Sequence, residues 1–167
     1  MAKKGAPTFD ELVARMGVIH EKLRRRKLTV AAAESCTGGL LATILTAHGG
    51  ASDYFRGGAV VYSDEAKEIL ADVAPQLIHS HGAVSSVVAG ALARGSRSRL
   101  GAKIGLGITG IAGPGGATPG KPVGLTYVAV DSDKHSAVRK HVWTFDRSGN
   151  RLASVGAALD LLEAAIA

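Results

Sequence analysis

The chain has one cysteine, Cys36, in 167 residues, so no disulfide can form within it. That usage fits a reducing compartment. Aromatic residues make up only 4%, too few for the stacking platforms that hold single-stranded nucleic acid. No apolar run approaches the roughly 18 residues that cross a bilayer. Lys3 and Lys4 are not followed by an apolar stretch, so a secretory signal is not expected. A cytoplasmic protein without membrane contact is the expectation. The six histidines are scattered; His79 and His81 form a pair without a third ligand nearby, so no metal site is expected.

Hydrophobic residues are plentiful at 46%, and the length suits one domain with a sizeable core. The 22 glycines imply many tight turns and close backbone approaches. The net charge is +6. Lys22, Arg24, Arg25, Arg26 and Lys27 concentrate part of it at the end of the first helical segment, where cations suit the helix dipole. The alternative, a nucleic-acid footprint, lacks a reader motif, so nucleic acid is not an expected partner. A basic balance also suits an anionic small substrate.

Phe9, Leu12, Val13, Met16, Ile19 and Leu23 recur at helical steps. They predict a helix over Phe9 to Arg26, capped by Thr8 with Glu11 as its capping-box partner; residues 1–8 are expected to form a flexible tail and residues 9–167 a single domain. A strand follows over Leu28 to Ala33, then a helix over Thr37 to Ala47 and a strand over Tyr54 to Tyr62. A short helix to about Ala71, a turn from Pro75 and a helix over Val87 to Leu100 capped by Ser85 come next. Ile104 to Thr109 reads as a buried strand. Gly110 to Gly124 is a long glycine-rich loop, and loops of that length are usually functional. Gly124 to Val130 and Ala137 to Phe145 predict a hairpin, and Arg151 to Ile166 a closing helix. The order predicts an α/β fold, a three-layer α/β/α sandwich around a mixed sheet.

Three loops carry chemistry. Ala33-Glu34-Ser35-Cys36-Thr37-Gly38-Gly39 lies where a strand gives way to a helix, so its backbone amides point at whatever binds there. Ser35 is a candidate nucleophile and equally a candidate helix cap. Cys36 is the stronger intrinsic nucleophile, but a lone buried cysteine is usually a small hydrophobe. Serine needs a base, and none of the three loops contains histidine. Lys67 serves if burial lowers its pKa, with Tyr62 to relay a proton or orient the amine. The glycine loop from Thr109 through Gly110, Ile111, Ala112 and Gly113 is not a phosphate-binding P-loop, because no Gly-Lys-Ser/Thr follows. Its amides suit an anion nest, and Arg147 and Arg151 would add charge; the alternative for Arg147 is an ordinary helix-start ion pair with Asp146.

Six motifs in register resemble one family. They are the Ala33 to Gly39 run, Tyr54-Phe55-Arg56-Gly57-Gly58, Tyr62-Ser63-Asp64-Glu65-Ala66-Lys67, His81-Gly82-Ala83-Val84-Ser85, Thr109-Gly110-Ile111-Ala112-Gly113-Pro114 and Lys121-Pro122-Val123-Gly124. Together they are similar to the CinA C-terminal domain family. The resemblance implies hydrolysis of nicotinamide mononucleotide to nicotinate mononucleotide and ammonia, a step of pyridine nucleotide salvage. It places the nucleophile on Ser35 with Tyr62 and Lys67 beside it, and calls for no cofactor and no metal. Cys36, Thr37, Gly38 and Gly39 would hold the oxyanion and substrate. Thr109 to Gly113, with Arg147 and Arg151, would hold the rest of the nucleotide. A homo-oligomer is implied, and the stand-alone form, since other members carry an additional N-terminal domain. The alternatives are a non-catalytic nucleotide-binding module that keeps the pocket and, from the family name, a competence- and DNA-damage-associated role. Asp64 stands where the family usually has Asn, Gly115 and Ala117 depart within the glycine loop, and Phe145 replaces a usual Gly. Asp64 would raise the pKa of Lys67, the wrong direction for a base.

Overall fold

The computed structural model describes residues 5–167. The elements, in chain order, are α1 (Phe9–Arg26), β1 (Val30–Glu34), α2 (Leu40–Leu45), β2 (Phe55–Val60), α3 (Asp64–Ala71), α4 (Pro75–His81), α5 (Ser86–Arg99), β3 (Ile104–Gly110), β4 (Leu125–Ser132), β5 (Ser136–Val142) and α6 (Arg147–Ala165). The capping box of α1 forms in full: Glu11 N donates to Thr8 Oγ1 at 3.2 Å and Thr8 N donates to Glu11 Oε2 at 2.7 Å. Of the expected tail 1–8, residues 1–4 lie outside the described residues. Ala6 and Pro7 are half-buried, beside Gly149 and Gly156 of α6.

The sheet order is β2-β1-β3-β4-β5. β1 pairs parallel with β2 and β3; β4 pairs antiparallel with β3 and β5. The sheet is therefore mixed, with helices on both faces. Val30 and Ala32 of β1, the three large residues Ile104, Leu106 and Ile108 of β3, and Val128 and Val130 of β4 join α1, α2 and α6 in one core. The alternate positions face the other way: Ala33 joins α3, α4 and α5, and Ala129 joins Ala89 and Ala93 of α5. This period-two division gives the expected three-layer α/β/α sandwich.

Small residues set how closely the second layer packs. A Cβ on Gly105 or Gly107 of β3 would fall on the Ala93 or Ala89 carbonyl oxygen of α5. A Cβ on Gly95 would fall inside the Ala71 carbonyl oxygen at the end of α3. Gly95→Ala is therefore expected to cost about 3 kcal/mol, since backbone cannot yield as a side chain does. For a chain of this size that lowers Tm by roughly 10 °C. Thermal unfolding followed by circular dichroism checks it; an unchanged Tm would mean that α3 and α5 are not so closely apposed.

Two helix starts differ from the sequence expectation. The second helix begins at Leu40, not Thr37, because Gly38 and Gly39 take positive φ values of 57° and 95°. The closing helix begins at Arg147, a turn before Arg151: Asp146 caps it by accepting from Gly149 N at 2.7 Å.

Candidate active site

β1, β2 and β3 all run in one direction, so their carboxyl ends open at one edge of the sheet. In sheets of this kind ligands bind outside those ends. Ser35 follows β1 directly and is held to β3 by its own amide, which donates to Ile108 O at 3.0 Å. Tyr62 and Lys67 follow β2, and Gly110 ends β3. A cavity of about 290 Å³ gathers them: Ser35, Cys36, Tyr62, Asp64 and Lys67 line one part, and Thr109 to Gly113, Gly115, Gly116 and Arg147 another.

Lys67 is 2% exposed. Its Nζ donates to Val61 O at 3.0 Å and to Ser63 O at 3.3 Å, with Asp64 Oδ1 at 3.9 Å. Burial holds its pKa below the ordinary lysine value, and the Asp64 charge works against that. A neutral amine has two N–H groups, which the two carbonyls occupy, leaving its lone pair free. α3 places it there because Ser63 caps the helix, accepting from Ala66 N at 3.1 Å.

Ser35 is 9% exposed, and its hydroxyl makes no hydrogen bond among the described residues. It does not cap α2; the residue at that position is Gly39. The cap is supplied instead by Glu34, which sequence reasoning passed over. Its fully buried carboxylate accepts from Thr37 Oγ1 at 2.6 Å, Gly39 N at 3.2 Å, Leu41 N at 2.9 Å and Ala42 N at 2.8 Å. The available signal was an acid at the end of an apolar strand, just before Gly-Gly and a helix.

These bonds redistribute the expected substrate-binding roles. The amides of Gly38 and Gly39 are already engaged, by Ser35 O at 3.1 Å and by Glu34. Those of Cys36 and Thr37 donate to no backbone acceptor among the described residues. Thr37, Gly38 and Gly39 do not line the cavity. Burial pushes the Cys36 thiol up to about 12, so it stays protonated and packs in the core.

The glycine loop is pinned by α6. Asn150, 1% exposed and also overlooked in the sequence, donates from Nδ2 to Ala112 O at 3.0 Å. Arg147 donates to Gly113 O at 2.7 Å and to Tyr62 OH at 3.1 Å. The Ile111 amide is spent on Leu125 O at 2.8 Å, and the Thr109 hydroxyl on Ala83 O at 2.8 Å. Arg147 faces the cavity, whereas Arg151 does not and donates to Thr37 O at 2.7 Å. No group of three metal-ligating side chains occurs among the described residues, nor any helix long and apolar enough to cross a membrane.

Fold and site together define a three-layer α/β protein with a serine and a buried lysine at the carboxyl ends of its parallel strands. The family model described as the CinA C-terminal domain matches residues 14–166, and the chain belongs to that family. A CinA-like protein of Acidobacterium capsulatum is 52% identical over 84% of this chain and 34% of its own length. One from Syntrophobacter fumaroxidans is 42% identical over 92% of the chain and 39% of its own length. The chain thus spans between a third and two fifths of these relatives. Among solved structures, the competence/damage inducible protein CihA of Agrobacterium tumefaciens superposes with a TM-score of 0.90 at 34% identity, covering 97% of this chain and 98% of that one. A competence-damaged protein (CinA) superfamily protein of Escherichia coli gives 0.86 at 29%, covering 93% and 89%.

Proposed function

We propose that the chain hydrolyses the carboxamide of nicotinamide mononucleotide, giving nicotinate mononucleotide and ammonia. The observation that carries this reading is the lining of one cavity by Ser35 and by Lys67, a buried amine whose basicity is lowered. Neutral Lys67 takes the Ser35 proton as Oγ attacks the carboxamide carbon. The negative charge on the carboxamide oxygen is met by the Cys36 amide, the free amide of this turn whose residue lines the cavity. The lysine ammonium returns the proton to the departing nitrogen, releasing ammonia. Water, deprotonated by the same amine, then cleaves the acyl-serine. Tyr62 stands at the cavity mouth with its hydroxyl on Arg147, and Arg147 makes no ion pair among the described residues. That leaves its charge for the substrate phosphate.

Ammonia release from nicotinamide mononucleotide by the purified chain tests the reading. Binding without turnover would favour a non-catalytic nucleotide-binding role. Salt-dependent DNA binding without turnover would favour the competence- and damage-associated role suggested by the names of its relatives.

The pH profile adds a second check. Lys67 must be neutral to act, so kcat/KM rises with pH through its pKa. Asp64 raises that pKa, so Asp64→Asn is expected to move the rising limb to lower pH. A limb that stays in place, or moves upward, would remove Lys67 from the role of base.

A further inference from the structure

Arg151 is the cation that the cavity does not use. It sits on the second turn of α6, is half-buried and makes no ion pair among the described residues. Its Nε is buried without a hydrogen-bond partner. Leaving such a group unpaired is costly, so the contact it does make, Nη2 to Thr37 O at 2.7 Å, has to be worth keeping. The Thr37 carbonyl and the Gly38 amide are two ends of one planar peptide unit. At the other end of that plane, Gly38 N donates to Ser35 O at 3.1 Å. Gly38 itself has φ of 57°, a conformation that glycine adopts without strain but that packing must select.

We infer that Arg151 is a positioning residue: by holding the Thr37–Gly38 peptide plane it fixes the turn that presents Ser35, and it is not a ligand of the substrate phosphate. The inference rests on the proposed amide hydrolysis for its kinetic consequence only. Glu34 holds the turn through Thr37 Oγ1 and the following amides. Arg151 holds the opposite, carbonyl side from a helix more than a hundred residues away in sequence.

The two roles separate cleanly in kinetics. A phosphate ligand, when removed, raises KM for the mononucleotide and leaves the phosphate-free riboside unaffected. A positioning residue lowers kcat for both and leaves KM in place. Arg151→Ala is expected to lower kcat about 100-fold on nicotinamide mononucleotide and on nicotinamide riboside alike, with KM within about twofold. Arg151→Lys, which keeps a donor of similar reach, is expected to recover most of that loss. A KM rise confined to the mononucleotide, or an unchanged kcat, overturns the inference.

A substrate-free arm uses Cys36, the only cysteine of the chain, which lies in the same turn. Burial dominates its raised pKa, and Arg151 acts to lower it. Losing the cation alone would therefore slow alkylation by iodoacetamide. An acceleration, expected at about tenfold in folded Arg151→Ala and absent from Arg151→Lys, is therefore not a charge effect and reports opening of the turn. An unchanged or slower rate overturns the inference. If the unmodified chain releases no ammonia, the amidase reading fails, while the labelling arm still decides for or against the clamp.

Discussion

Ser35→Ala is expected to reduce ammonia release from nicotinamide mononucleotide by at least about 10⁴-fold while leaving the fold intact. The fold is spared because the lost hydroxyl makes no hydrogen bond among the described residues. Thermal unfolding of the variant should coincide with that of the unaltered chain. The loss is large because no neighbour can take over. Cys36 is adjacent, but with its pKa pushed up to about 12 by burial the thiolate fraction at neutral pH is about 10⁻⁵, and its side chain packs in the core. What remains is water activated by Lys67, without a covalent intermediate. A Ser35→Ala protein that kept a tenth of the original kcat would end the assignment of Ser35 as nucleophile.

Glu34 carries the second large effect, on stability. One carboxylate satisfies four donors in a fully buried position, and two of them, Leu41 N and Ala42 N, belong to the opening turn of α2. Glu34→Ala strands all four and leaves a cavity. The expected cost is about 4 kcal/mol, the scale for removing one partner of a buried charged network. That is a large share of the stability of a typical domain. Glu34→Gln keeps one oxygen acceptor but turns an amide nitrogen toward a backbone N–H, so it should fall between the two, at about 2 kcal/mol. Urea unfolding measures both. A Glu34→Ala protein within 1 kcal/mol of the original would mean that the helix amides find water instead. Because Glu34 immediately precedes Ser35, both variants should also lose activity.

Much of the scaffold could be read from sequence because its signals are local. Thr8 with Glu11, and Ser85, form the caps that their positions predict, and the apolar run of β3 is buried as its composition requires. Errors arose where a distant or unexpected partner decides the geometry. Thr37 reads as the helix start, but Gly38 and Gly39 take positive φ, with their amides on Ser35 O and on the Glu34 carboxylate, and α2 begins at Leu40. Asp146 reads as an ion partner of Arg147, whereas it caps α6. Arg151 was grouped with Arg147 because they are four apart on a helix. They share a helix face, and one turn of rise along α6 separates a residue facing the cavity from one behind the Ser35 turn; only the docking of α6 fixes which is which. Asn150 was invisible for the same reason, since its partner Ala112 lies 38 positions away. The convergence of Ser35, Tyr62 and Lys67 at one edge follows from β1 and β2 being parallel neighbours.

The pairing of β1 with β3 also sets when the site can exist during synthesis. The Ser35 amide waits for Ile108, and the Thr37 carbonyl waits for Arg151, 114 positions downstream. A nascent chain leaving the ribosome therefore carries its serine long before it can be aimed. Such distant pairings form late and slowly. A chain still short of α6 would have the serine, the tyrosine and the lysine, yet no brace behind the nucleophile. Competence to act would arrive only with α6.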